Sequence, residues 1–419
     1  MSKFSLALLA IAGTLTAPLM AGEADRSVVH EWNAQLEATI PASAGPTLPR
    51  YYSMMHIAMF DAVNSIEGGY TAYYTRVHAR RGASSEAAAA QAAHDVLVSM
   101  LPAQTAAFDA ALNARLAKIR QPCAQWGSQV GKEVARRVLE WRATDGWSTP
   151  QTFTPPALPG IWQPTPPAFA AAAFAQAGDS RPFALPTPYY YLPRRPPALN
   201  SQEYADAVNE IKAIGGATSS VRTADQTLLA RNWASIGYKE LWSAVWNHVA
   251  RDMSQSENLS LIETARLYTL VNVAMMDGVQ TAQASKFVYQ VWRPVTAIQR
   301  ANEDLNPATD ADPTWMPLLP TPPYPSYAGN MACIGASAAQ VMILYFGANE
   351  YNVSATWTGL NGNANVTRQY DNFWAMAEDQ AVSREYGGIH YHFDTMASQE
   401  VCPKVARYVF SNFMRSKRD

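Results

Sequence analysis

Proline dictates where this chain can be regular. Thirteen of its 28 prolines fall between Pro150 and Pro197, and seven more between Pro307 and Pro325. Each proline fixes φ and removes a backbone donor, so neither belt is a continuous helix or a central strand. The belts read as long ordered wraps over a surface, the first with a short helix at 168–177. Regular structure has to lie outside them.

Outside the belts the patterning is helical. The stretch YYSMMHIAMFDAVNSI from Tyr51 to Ile66 is apolar nearly all round, which a helix tolerates only when buried, so it is expected at the centre. Alanine-rich segments at 85–101 and 103–119 meet at Pro102, and 127–144 continues in the same style. Thr223 with Gln226 and Ser260 with Glu263 fit the capping box and open two further helices. Beyond the second belt, GNMACIGASAAQVMILYF reads as a buried helix lined by small residues. Alternating β-branched strands are nearly absent and no repeat of fixed period is evident, so the expected fold class is all-α.

Composition narrows the class. At 419 residues, 48% of them hydrophobic and 16% charged, the chain is globular. A net charge of −2 leaves no positive field for a nucleic-acid backbone, so nucleic acid is excluded as a partner. Cys123, Cys333 and Cys402 allow at most one disulfide. Lys3, an apolar run from Phe4 to Thr16 and a small-residue stretch to Gly22 have the layout of a secretory signal, which predicts a secreted or periplasmic protein with no membrane span in the mature chain. The expected organisation is a signal at 1–22, a helical layer with its proline-rich wrap at 23–200, and a core carrying the chemistry at 201–419, the last two forming one compact unit.

Two clusters carry charge in a meaningful pattern. In SKFVYQVWRP, Lys286 and Arg293 are seven residues apart, nearly two helical turns, which puts both cations on one face about 10 Å apart. Two cations so placed suit an oxyanion. In AVSREYGGIHYHFDTMA, a helix beginning near His390 brings Asp394 within one turn of it, and a carboxylate there holds one ring nitrogen as N–H and frees the other. His392 then points roughly opposite. Asp277 and His56, in apolar helical stretches, read as a buried paired acid and a core histidine. Trp292 and Tyr289 flank the cations and fit either a pocket wall or core packing.

These residues resemble the signature of the vanadium-dependent haloperoxidases and the related type-2 phosphatidic acid phosphatases: Lys, six residues, Arg-Pro; then Pro-Ser-Gly-His; then Ser-Arg, five residues, His, three residues, Asp. The first is Lys286, Arg293, Pro294 and the last is Ser383, Arg384, His390, Asp394. MHIAMFDAVNSI, IWQPTPPAF and ARLYTLVNVAMMDG are similar to stretches of the soluble bacterial haloperoxidase-type proteins. The middle motif departs: Ala328, Gly329, Asn330 and Met331 stand in its four places, so the serine hydroxyl and the acid–base histidine are both missing.

The resemblance implies a helical bundle with long proline-rich connections and a cup for a tetrahedral oxyanion. Lys286, Arg293 and Arg384 would neutralise its equatorial oxygens, with backbone donors near Gly329 and Gly388 and the Asn330 amide beside them. His390 would be the axial ligand of vanadate, or the nucleophile of a phosphatase, and Asp394 would orient its ring. The implied cofactor is vanadate, with hydrogen peroxide and halide as substrates and activity weakened by Met331. The alternatives are a phosphomonoesterase acting on phosphate esters without a cofactor and a non-catalytic oxyanion-binding homologue. Homodimerisation is left open.

Overall fold

A computed structural model describes residues 23–40, 45 and 47–417; the expected leader at 1–22 lies outside the described residues. The buried apolar run forms α2 (Leu48–Glu67), which follows α1 (Glu23–Thr39) and is covered by α3 (Ser85–Met100), α4 (Thr105–Leu116) and α5 (Cys123–Arg142). After the first proline belt come α6 (Gln202–Ile214), α7 (Ala224–Trp233), α8 (Trp242–Ser256), α9 (Leu261–Tyr289) and the short α10 (Pro294–Gln299). The second belt leads into α11 (Asn330–Phe346), then α12 (Phe373–Tyr386) and α13 (His392–Asn412). Both capping boxes form, Thr223 with Gln226 at α7 and Ser260 with Glu263 at α9.

The fold is all-α, with two local departures from the sequence reading. No α-helix forms at 168–177; only a 3-10 turn, Ala175–Gly178, is present there, because Phe169 and Phe174 adopt positive φ and interrupt any longer run. A hairpin does form between α11 and α12: β1 (Val353–Trp357) pairs antiparallel with β2 (Val366–Tyr370), in register from Val353 opposite Tyr370 to Trp357 opposite Val366. Each arm is five residues, too short for its alternation to stand out in the sequence.

Helices α2 and α9 pack against each other at the centre; α2 also packs on α3, while α9 packs on α11 and α13. The two central helices share a local pattern, Ala58-Met-Phe-Asp61-Ala-Val63 and Ala274-Met-Met-Asp277-Gly-Val279. In each, the aspartate is wholly buried and accepts three successive backbone N–H groups from an extended segment: Tyr73, Tyr74 and Thr75 for Asp61, and Phe183, Ala184 and Leu185 for Asp277. Segments without regular structure are thereby fixed to the core, since their donors must find acceptors once buried. Asp277 is thus a buried acid paired with backbone. His56 is a core histidine, with Nε2 3.1 Å from Asn33 Oδ1. Among the described residues no helix is long and apolar enough to cross a membrane.

Candidate oxyanion site

The site forms where four helix ends meet: the C-terminal end of α9, the start of α11, the end of α12 and the start of α13. Lys286 lies on the last turn of α9. Arg293 is on a different element, because Gln290 turns left-handed (φ 55°) after Tyr289 and Arg293 is the extended N-cap of α10 (ψ 155°). The expectation of one helix carrying both cations is corrected, and Pro294 supplies the reason: a residue before proline is driven out of the helical region, while proline suits the first helical position.

The segment leading into α11 is pinned from two sides. Lys286 Nζ donates to the carbonyl of Ser326 (2.7 Å) and to that of Ala328, and Ser285 Oγ accepts from the Ala328 N–H (3.0 Å). From α13, Ser398 donates to the Gly329 carbonyl (2.8 Å). Two of the three ammonium donors of Lys286 are therefore spent on backbone, and one remains for a ligand.

His390 precedes α13, whose N-cap is Tyr391, so the expected helical spacing to Asp394 is replaced by a cap. Asp394 Oδ2 accepts from the Tyr391 N–H (3.2 Å) and the Ser326 hydroxyl, and lies 2.7 Å from His390 Nδ1. Nδ1 is thereby the protonated nitrogen. His390 Nε2 faces Arg293 Nη1 at 3.2 Å, and Arg293 is held by the carbonyls of Tyr324 (2.8 Å) and Ile389 (2.7 Å).

Charge and burial set the chemistry. Lys286, Arg293 and Asp394 are wholly buried, and His390 and Arg384 are 4% and 9% exposed. Burial, then Arg293, Lys286 and Arg384, hold the His390 imidazole well below its usual range, so it is neutral with a lone pair on Nε2. Burial pushes Lys286 down, with Arg293 adding to it and Asp394 opposing, and lowers Arg384 to about 10. Burial raises Asp394 to about 6, against the Ser326 hydrogen bond and the nearby cations. Three cationic side chains against one carboxylate leave a buried excess of positive charge. Arg293 Nη2, Arg384 Nε and Nη1, and both amide atoms of Asn330 are buried without a partner. Buried polar atoms normally find partners, so these fit an anion with several oxygens.

The sequence-predicted residues Lys286, Arg293, Arg384, His390 and Asp394 come together. The glycine donors do not serve as expected: the Gly329 N–H donates to the Asp394 carbonyl (3.2 Å) and the Gly388 N–H to the Glu385 carbonyl (2.8 Å). Gly388 is needed for close approach instead, because at φ 73° a Cβ there would lie 2.2 Å from the Gly215 carbonyl oxygen. Met331 is 6% exposed and belongs to the main apolar cluster. His392 is on the outside, its side chain 55% exposed and its Nδ1 3.2 Å from Glu385 Oε2, with only Glu385 and Glu210 as charged neighbours that shift it. Trp292 packs in an apolar cluster with Tyr204 and Phe393, and the Tyr289 hydroxyl bonds the Pro193 carbonyl, so both are structural. Ser326 and Tyr324 were not legible as site residues; the proline belt that holds Tyr324 and ends just before Ser326 has no periodicity to mark them.

Comparisons with known proteins agree with this fold. Residues 266–418 match the sequence model of the VCPO second helical-bundle domain. The vanadium chloroperoxidase of Curvularia inaequalis is 25% identical over an alignment of 268 residues that covers 49% of this chain. The chain spans 43% of the length of that relative. Among solved structures, the first bacterial vanadium-dependent iodoperoxidase superposes with a TM-score of 0.79 at 21% identity, covering 96% of this chain and all of that one. A holo-type bacterial vanadium-dependent chloroperoxidase gives 0.75 at 14% identity, over 93% and 96% of the two chains. The chain has the fold of the bacterial vanadium-dependent haloperoxidases, and its residues 266–418 match that family's second helical-bundle domain.

Proposed function

We propose that this is a vanadate-dependent haloperoxidase-like enzyme that oxidises halide with hydrogen peroxide. The observation that carries the reading is the buried cup: three cationic side chains, donor atoms without partners, and a neutral histidine whose Nε2 is free of a proton. Arg293 and Arg384 would hold the vanadate oxygens through their unpartnered N–H groups, with the third Lys286 donor adding charge and the Asn330 amide a further contact. His390 Nε2 would be the ligand atom. When bound, vanadate supplies a Lewis-acid centre that activates peroxide for halide oxidation.

The chain's own residues prepare that site. Asp394 keeps the proton on His390 Nδ1 and so presents Nε2 as a lone pair, and Ser326 fixes the carboxylate that does this. Burial withholds water from the cations and strengthens their hold on an anion. Met331 supplies no proton, which favours a second reading, an oxyanion-binding homologue with little turnover. Export fits the buried Cys333–Cys402 disulfide, since such bonds persist in oxidising compartments.

The test is metal analysis of protein loaded with orthovanadate and passed through gel filtration. One vanadium per chain is expected in wild type and none in His390→Ala. Vanadium retained by that variant removes His390 as the ligand. Bromide oxidation by the loaded wild type then separates an enzyme from a binding protein.

A further inference from the structure

A second cavity, of about 330 Å³, lies between the end of α1, the start of α2 and the connection from α7 to α8. That volume is at the small end of the range for ligand pockets, roughly 300–1,000 Å³. None of the cup residues lines it. Among the described residues its apolar wall includes Ile40, Leu48, Leu241 and Trp242, with the half-buried Tyr238 beside them.

Glu37, on the last turns of α1, brings a carboxylate to this apolar wall, with its side chain 17% exposed. Its Oε1 accepts from Asn33 Nδ2 (2.6 Å) and from the Tyr52 hydroxyl (3.4 Å), and its Oε2 lies 2.8 Å from His248 Nε2. Donors from α1, α2 and α8 thus fix it in place. A carboxylate has about four acceptor positions, so one is left over. Among the described residues no lysine or arginine pairs with Glu37. Glu240 adds a second carboxylate to the lining, fixed by the Thr358 hydroxyl (2.7 Å) and N–H. Lys239, at an exposed position, is the one cation in the lining. Two carboxylates against one ammonium leave this cavity negative, the opposite of the cup.

We propose that this cavity binds a small apolar amine, its ammonium held by Glu37 and its body packed against Trp242 and Leu48. A carboxylate drawn part-way out of water favours a partner of opposite charge. Indole and phenol rings such as those of Trp242 and Tyr238 attract cations as well as apolar groups. An anion is disfavoured there by Glu37 and Glu240, and a wholly apolar molecule leaves the spare acceptor of Glu37 unused. The cavity is independent of the oxyanion reading of the cup, since the two share no residue.

Benzylamine and benzyl alcohol differ mainly in charge, so the pair isolates the part played by Glu37. Binding of each is measured by calorimetry in wild type, Glu37→Gln and Lys239→Met, with melting temperatures as the folding control. A hydrogen bond to a charged group corresponds to roughly tenfold or more in affinity. Wild type should bind benzylamine more tightly than benzyl alcohol by that factor, and Glu37→Gln should lose the preference at an unchanged melting temperature. Lys239→Met removes the opposing charge from an exposed position and should tighten benzylamine binding by roughly twofold or more. It decides the matter if Glu37→Gln fails to fold. A wild type that binds no benzylamine, or binds both probes equally, overturns the proposal. So does a folded Glu37→Gln that keeps the preference, or a Lys239→Met that binds benzylamine no more tightly than wild type.

Discussion

Met331, the second residue of α11, stands at the position that the motif resemblance assigns to an acid–base histidine. A thioether neither gives nor takes a proton at neutral pH, and a positioned acid–base group contributes ~10²–10⁴-fold to rate. Met331→His combined with Gly329→Ser should therefore raise bromide oxidation, or phosphate-ester hydrolysis, by at least tenfold over wild type. The serine is sterically acceptable: a Cβ at Gly329 would meet nothing closer than the Asp394 carbonyl oxygen at 3.6 Å. Steady-state rates of the vanadate-loaded and free proteins check this, and a double variant no faster than wild type overturns the proposal that the site lacks a proton donor at Met331. At this scale the cations, His390 and Asp394 were legible because their spacing is itself the signal. The glycine N–H groups were misread because a backbone donor's availability depends on which carbonyl the fold brings to it, and no spacing records that. Tyr324 and Ser326 escaped for a related reason: their roles come from contacts with α9, α10 and α13, all distant in sequence.

Helices α11 and α13 are joined by a disulfide, Cys333–Cys402, which closes a loop of 69 residues. The bond is buried beside Ala282 of α9, so it ties together three of the elements that bring Lys286, Asn330 and His390 into one site. Loss of a native disulfide costs roughly 2–5 kcal/mol. Cys402→Ser should lower the melting temperature by several degrees and weaken orthovanadate binding, since α11 then shifts relative to α13. Thermal melting and calorimetry test this together, and a variant that melts earlier yet binds as tightly shows that the bond stabilises without positioning. Sequence alone allowed a bridge without choosing the pair, because the geometry a disulfide needs is a property of packed helices. Helix existence was far more legible than helix interruption. The buried α2 and the capping boxes followed from local pattern, whereas the break after Tyr289 was hidden, even though Pro294 encoded it, because the apolar periodicity of α9 runs on past its end.

Across the whole molecule, buried ionisable groups give stability a pH dependence with two opposing parts. Burial lowers His30 from 6.5 to about 4 and His56 from 6.5 to about 3. Between those values and pH 6.5 the unfolded chain binds more protons than the folded one, so this part of the stability is complete above pH 6.5 and lost as the pH falls. Burial acts oppositely on Asp61, raised from 3.8 to about 7, and on Asp277, raised from 3.8 to about 6. Their part is complete below pH 3.8 and lost as the pH rises through 6 to 7. The overlapping windows of the histidines and the aspartates oppose each other and cancel much of the slope in the intact protein. Removing one member should expose the other. His56→Gln, which keeps a donor for Asn33, should reduce the loss of stability on acidification from pH 6.5 to 4, leaving the aspartates to dominate, so that the variant is relatively more stable in acid than at neutrality. Urea unfolding free energies across pH 4–7.5 measure this directly. Curves for variant and wild type that run parallel over the range would mean that His56 binds its proton equally in both states, and that its burial carries no cost for the charged ring.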